Sequence, residues 1–225
     1  LTTVAHKSQH IGADKRRTSL LPGGTIEYDD SVTKVFKCGA IEWGQAGLVG
    51  LTELLGLHLQ GFNIADDIRT FYQYCCMNTI DKHQIIGQVL VYSSGKRFIL
   101  QTNAELIECG NAIESADISI PFFSIGSGSE FAFPILMAGG GITDAIKEAM
   151  KHDNGTGGGI DMAHEQHDKN NAVTPPTSAK DFLHQDGFVD EDGNFTKKSL
   201  VYTPTQSLNF EELAKIGLVN NITKI

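Results

Sequence analysis

The order of periodic segments is what most limits the fold of this chain. Residues 2–7 and 10–14 read as two short strands joined near Ser8-Gln9. Val32–Phe36 and Ala40–Trp43 read as a second strand pair, with the Gly/Pro/Asp-rich stretch 20–31 as a loop before them. Leu48, Leu51, Leu54, Leu55 and Leu59 then recur at helical spacing. Gly61-Phe62-Asn63 interrupts that helix, and a second is expected over about 65–77. A hairpin follows, with Ile85–Tyr92 and Arg97–Gln101 joined across Ser93-Ser94-Gly95. Ile118–Ile125 reads as one buried strand, and helices are expected at Glu130–Met137 and Thr143–His152, split by Gly139-Gly140-Gly141. Ile160–His164 reads as a late strand. Strands, two helices, strands, two helices and a strand suit an α+β chain: two sheets face to face, with helices covering both outer surfaces.

Length and charge narrow the function classes. At 225 residues the chain fits one domain with an appendage. We expect the domain over 1–168 and a C-terminal extension over 169–225, where the composition turns polar at Lys169-Asn170-Asn171 and Pro175-Pro176. Within that extension one hairpin near Phe188–Phe195 and a terminal helix near Asn209–Ile216 are expected. The formal net charge of −9 argues against a general nucleic-acid binder, and Lys15-Arg16-Arg17 is too short to reverse it. No apolar run reaches membrane-spanning length, and residues 1–19 lack the apolar stretch of a secretory signal. The four cysteines, Cys38, Cys75, Cys76 and Cys109, form no CxxC pair and read as free thiols. These features place the chain in the cytoplasm as an expectation.

Several motifs have bland readings that outweigh the chemical ones. His164, Glu165 and His167 read as surface residues rather than metal ligands. Asp190-Glu191-Asp192-Gly193-Asn194 reads as a hairpin turn, because the residue twelve along is Val201 and not Glu. Gly126-Ser127-Gly128-Ser129 lacks the Lys-Ser/Thr ending of a phosphate loop. No cofactor and no metal are expected.

The beginning of the chain offers a different chemistry. A threonine at an N-terminus carries a nucleophilic hydroxyl and, in its α-amine, a base with a pKa of roughly 7.7–8.0. Thr2 and Thr3 both qualify by residue type. Lys34 reads either as a solvated strand lysine or as a cation beside that amine, lowering its pKa. Asp14 reads either as a turn carboxylate paired with Lys15 or as the partner that keeps Lys34 charged. Gly47 reads either as a plain glycine at the start of a helix or as a backbone N–H aimed at an oxyanion.

Taken in order, these segments resemble the proteasome β-subunit family and its bacterial ATP-dependent protease relative, both N-terminal nucleophile hydrolases. The resemblance covers about residues 2–165. Thr2-Thr3 with Ala13-Asp14-Lys15-Arg16 looks like the family's N-terminal hairpin, and Thr33-Lys34-Val35 like the strand bearing its lysine. Trp43-Gly44-Gln45-Ala46-Gly47 looks like the oxyanion segment. Ser124–Ser129 and Asp153–Gly158 look like the two later loops, which supply a serine, an aspartate and a second hydroxyl.

The resemblance implies a four-layer αββα sandwich with a C-terminal extension. It implies a threonine-type peptidase in a self-compartmentalising homo-oligomeric ring, fed by an ATP-dependent unfoldase and acting on peptides or unfolded proteins. The implied roles are Thr2 as nucleophile, Asp14 and Lys34 as the electrostatic pair, Gly47 as oxyanion donor, and Ser127, Asp153 and Thr156 as the network on the amine. Gln45 would line the pocket for the residue before the scissile bond, which its amide makes less than purely apolar. The alternative is an inert ring or virion scaffold that keeps the fold. Leu1 reads as the literal translation of a TTG start codon, so that removal of an initiator Met would free Thr2. Thr2 also lies an even twelve residues from Asp14, a parity that a shortened hairpin preserves and Thr3 would break.

Overall fold

The structure, a computed structural model, describes residues 2–38, 41–47, 87–102, 114–163 and 208–224. The expected helices between Leu48 and Met77, the hairpin near 188–195, the boundary at 168/169 and the histidines at 164 and 167 lie outside those residues.

Strands β1 (Val4–Lys7) and β2 (His10–Asp14) form the first hairpin, with Val4 opposite Ala13 and Lys7 opposite His10. Ser8, at φ 60°, makes the turn. The stretch expected as a loop is instead a second hairpin of β3 (Arg17–Leu20) and β4 (Ile26–Asp29). Its tip is closed by Leu21 and Thr25, with Gly23 and Gly24 at φ 97° and 83°, so the glycines are the turn and not a sign of missing structure. Strands β5 (Val35–Cys38), β6 (Ile41–Gly47), β7 (Gly87–Ser93) and β8 (Lys96–Thr102) follow as an antiparallel set. The β7–β8 turn sits at Ser94 and Gly95, both at positive φ, as the hairpin reading requires.

The run Ile118–Ile125 is not one strand. It is the end of β9 (Glu114–Ile118), a bend at Ser119-Ile120-Pro121, and β10 (Phe122–Ile125), and the two strands belong to different sheets. Pro121 lacks a backbone N–H and cannot continue a ladder, which is why the apolar run divides there. Helices α1 (Ser129–Met137) and α2 (Ile142–His152) come next, then β11 (Ile160–Met162), α3 (Phe210–Lys215) and β12 (Val219–Lys224).

Two main sheets result, one ordered β10-β1-β2-β11 and the other β12-β9-β8-β7-β6-β5. They bury a common core in which Val4, Ile11, Ala13, Phe123 and Ile125 of the small sheet meet Val35, Ala46, Leu90, Ile99 and Ala116 of the large one. The approach is close: a Cβ added at Gly44 would run into Val4 and Ile11. The opposite face of the small sheet carries α1 and α2, through Ala5, Ala132, Leu136, Ile142, Ala145, Ile146 and Ala149. The last four fall at i, i+3, i+4 and i+7, the stripe that a helix lays on a sheet. Three layers are therefore described: helices, small sheet and large sheet.

The end of the segment 169–225 is part of this core. Asn209 caps α3 by accepting from the Glu212 N–H at 3.1 Å. Phe210 is 1% exposed inside the inter-sheet core, and β12 pairs with β9 from Val219–Ile118 to Lys224–Glu114. A bulge with Asn221 at φ 50° interrupts that pairing. The sequence reading has the terminal helix but not the strand after it.

Candidate active site

Thr2 and Thr3 lie at the head of β1, where it runs beside β2 and β10. Asp14 is the last residue of β2, and its N–H donates to the Thr3 carbonyl at 3.1 Å. The hairpin thus carries Asp14 back to Thr2 twelve residues earlier. The Thr2 hydroxyl donates to Asp14 Oδ1 at 2.6 Å, and the Thr3 N–H donates to the same oxygen at 2.8 Å. Lys34, just before β5, donates from Nζ to Asp14 Oδ1 at 2.8 Å and to Thr2 Oγ1. Asp14 Oδ2 accepts from the backbone N–H groups of Arg16 and Gly157, each at 3.0 Å. Five donors therefore converge on one wholly buried carboxylate.

Thr2 is 4% exposed, Lys34 4% and Asp14 0%. A buried ammonium is held below the ordinary lysine pKa by loss of hydration, and the Asp14 charge opposes that shift. The ion pair therefore sits where water screens it least, with the Thr2 hydroxyl between its partners.

The Thr2 nitrogen belongs to a second chain of contacts. It donates to Ser127 Oγ at 3.0 Å, and Ser127 Oγ donates to Asp153 Oδ2 at 2.6 Å. Thr156 Oγ1 donates to the same Asp153 oxygen at 2.7 Å. With its proton so committed, Thr156 accepts from Thr3 Oγ1, 2.7 Å away. Asp153 Oδ1 accepts the Gly155 N–H at 2.9 Å. Asp153 thus fixes two hydroxyl orientations, and Ser127 is left presenting a lone pair to the Thr2 nitrogen.

Ser127 sits in a loop pressed onto the head of β1. Gly128 N–H donates to the Thr2 carbonyl at 3.3 Å. Gly126 has φ 91°, and a Cβ there would strike that carbonyl; a Cβ on Gly128 would strike Thr3 Oγ1. Close approach by itself requires glycine at both positions.

Of the residues singled out from sequence, Thr2, Asp14, Lys34, Ser127, Asp153 and Thr156 are brought into one contiguous network. Gly47 ends β6 with φ 126°, and the helix expected after it lies outside the described residues. Gln45 is buried on β6, and its N–H donates to the Lys34 carbonyl at 3.1 Å, which ties that strand to the lysine. Its side chain shares the sheet face of Trp43, opposite the face of Ala46 that meets the small sheet.

Sequence reasoning weighed Thr3 only as a second nucleophile and assigned no role to Arg16, Gly126 or Gly128. Arg16 makes a two-pronged bond to Asp30 at 2.7 and 2.8 Å and stacks on Tyr28, which braces the second hairpin beside the Asp153 loop. Its place two residues after Asp14 was the available signal. For the two glycines no signal exists short of the packing itself.

The site is a nucleophile candidate with an electrostatic pair and a separately ordered nitrogen. Among the described residues no group of His, Cys, Asp or Glu is arranged to hold a metal ion, and no helix is long and apolar enough to cross a membrane. No protein-family model matches the chain, and no curated protein matches it. Solved structures do. Eukaryotic HslV from Trypanosoma brucei is similar at 17% identity over 71% of this chain and 97% of its own, with a TM-score of 0.47. BPH from Thiobacillus denitrificans is similar at 14% identity alone and 15% in complex with epoxomicin, over 72% of this chain and 95% of its own, with a TM-score of 0.47 in both cases.

Proposed function

We propose that this chain is a threonine-type peptidase with Thr2 as its nucleophile. The observation that carries the reading is the position of Thr2: its hydroxyl lies between Lys34 Nζ and Asp14, while its nitrogen is held by Ser127. Release of the residue before Thr2 turns that nitrogen from an amide into an α-amine, a base with a pKa of roughly 7.7–8.0.

The amine takes the Oγ1 proton, directly or through one water. Oγ1 attacks the substrate carbonyl carbon, and a tetrahedral intermediate forms. Lys34, kept charged by Asp14, stabilises negative charge as it develops on Oγ1. Gly47 offers its N–H to the oxyanion, a contribution of roughly 10²–10³ in rate for such donors. Collapse breaks the C–N bond, the leaving amine takes the proton from the α-ammonium, and water then hydrolyses the Thr2 ester by the same base. Ser127, Asp153 and Thr156 keep the amine lone pair aimed at Oγ1. Gln45 contributes an amide to the pocket for the residue before the scissile bond, favouring small or polar residues there over large apolar ones.

The family resemblance supports a closed homo-oligomeric ring and an unfoldase partner in the cytoplasm. Light scattering at micromolar concentration is expected to show the assembly, and a monomer would remove the ring from the reading.

The chemistry is tested with an epoxyketone probe and intact-mass measurement. One probe per chain is expected on a protein beginning at Thr2, and none on Thr2→Ala. A purified protein that retains residue 1 and does not react overturns the peptidase, and an inert ring or scaffold then becomes the reading to pursue.

A further inference from the structure

Gln88, Gln101 and Glu114 stand side by side across β7, β8 and β9, for Gln88 pairs with Gln101 and Gln101 with Glu114. Lys224 of β12 extends the row as the partner of Glu114, with Nζ 3.7 Å from its carboxylate. The row lies on the face turned toward the small sheet, two residues along from Leu90, Ile99 and Ala116 of the shared core. Gln88, Gln101 and Glu114 are 2%, 1% and 6% exposed. Three adjacent polar side chains at that depth are costly unless their hydrogen bonds are met.

They are met in a directed sequence. Gln88 Oε1 accepts the Gly126 N–H at 3.3 Å, and Gln88 Nε2 donates to Gln101 Oε1 at 3.5 Å. Gln101 Oε1 also accepts the Leu208 N–H at 3.0 Å, while its Nε2 donates to the Leu208 carbonyl at 2.6 Å and to Glu114 at 2.9 Å. A backbone N–H at each end, Gly126 and Leu208, requires an amide oxygen opposite it. The orientation of both glutamines is therefore fixed by the backbone at the two ends and is not interchangeable. One end is the loop whose Ser127 holds the Thr2 nitrogen. The other is the first described residue of the C-terminal segment, two residues before the buried anchor Phe210.

We propose that Gln88 and Gln101 are positioning residues: an amide relay through which the seating of residues 208–224 sets the geometry of the Gly126–Ser127–Gly128 loop, and so of the Thr2 nitrogen. The catalytic consequence rests on the peptidase reading; the coupling between the two segments does not. The relay gives the C-terminal segment a role beyond covering the core. With Leu208 unseated, Gln101 turns to find other partners, Gln88 loses the Gln101 oxygen from its donor side, and its hold on the Gly126 N–H loosens.

Hydrogen exchange on the intact chain reads the coupling without any turnover. In Gln101→Met, which keeps the volume and removes the amide, exchange is expected to rise about tenfold over residues 126–129 as well as near Leu208. Gln88→Met is expected to do the same to 126–129. Gln88→Glu, which keeps an acceptor for Gly126 but sets a carboxylate oxygen against Gln101 Oε1, breaks the same link and is expected to leave 126–129 less protected than in the parent. Should Gln101→Met not fold, Phe210→Leu loosens the segment from its other side and is expected to raise exchange over 126–129. Exchange that rises only over 208–215 in these variants overturns the relay.

The catalytic arm uses a pH profile. Epoxyketone labelling of Gln88→Met and Gln101→Met is expected to slow about tenfold with a displaced pH midpoint and an unchanged KM for peptide substrate. Slower labelling with an undisplaced midpoint is the result of a merely structural role and overturns the positioning claim. A parent protein that never labels refutes the peptidase instead, and the exchange result then decides the relay alone.

Discussion

Asp14 shows how one buried carboxylate can organise a site. Its two oxygens take the Thr2 hydroxyl, the Lys34 ammonium and three backbone N–H groups. Lys34 has fewer alternatives, since its described contacts are Asp14 and Thr2 Oγ1. The two partners should therefore differ when removed. Asp14→Asn strands a buried cation and places an amide hydrogen against a backbone N–H; we expect a loss of roughly 3–5 kcal/mol in urea unfolding. Lys34→Met leaves the carboxylate four donors and is expected to cost clearly less. Equal losses would show that the site is not centred on Asp14. Thr2, Asp14 and Lys34 were legible as candidates by residue type, whereas Ser127, Asp153 and Thr156 came only with the family resemblance. Thr3 was weighed only as a second nucleophile; its contact with Thr156 was not legible, because that residue lies 153 positions away. Gln88 and Gln101 escaped because their relation is lateral, across strands, where a single sequence carries no register.

At the scale of elements, periodicity gave the first hairpin, the β7–β8 hairpin, α1 and α2 close to their observed bounds. It failed where apolarity and breaking signals point different ways. An unbroken apolar stretch read as one strand, yet Pro121 sends its halves to opposite sheets. A glycine-rich stretch read as a loop, yet Gly23 and Gly24 close a hairpin. β12 was missed because Val219-Asn220-Asn221-Ile222-Thr223-Lys224 has too few apolar residues, and its bulge breaks the alternation on which such readings depend. The strand is held by ladder bonds to β9 and by Phe210, whose ring sits in the core shared by both sheets. Phe210→Ala is therefore expected to cost about 3–5 kcal/mol, the usual range for emptying a buried aromatic site. Met137→Ala, at a side chain 65% exposed, is expected to stay within about 0.5 kcal/mol. Parity between the two in thermal unfolding would mean that the C-terminal segment is not integral to the fold.

Across the whole molecule, the interface between the sheets holds one group out of keeping with its surroundings. His6 of β1 is wholly buried and stacks on Tyr92 of β7, with ring centroids 5.8 Å apart. Neither ring nitrogen makes a well-formed hydrogen bond among the described residues. Burial lowers its pKa from 6.5 to about 4, helped by the charges of Arg97 and His10, while a looser contact with the Ser8 backbone offsets part of the shift. The folded protein thus keeps His6 neutral over a range in which the unfolded chain protonates it. Above pH 6.5 neither state takes up the proton and stability is unaffected. As pH falls from about 6.5 to 4, the unfolded state binds a proton that the folded state refuses, and stability drops toward a total loss of roughly 3 kcal/mol. Below that window both states are protonated and this contribution is flat. Because β1 joins the small sheet to the head of the site at Thr2, the loss is expected as cooperative unfolding of both sheets rather than local fraying. Urea unfolding at intervals between pH 7 and 4 measures it, and His6→Leu isolates it. The difference between parent and variant should widen across that window in favour of the variant. A difference that stays constant with pH would show that His6 is solvated or hydrogen-bonded in solution, and the acid sensitivity would then belong to other groups.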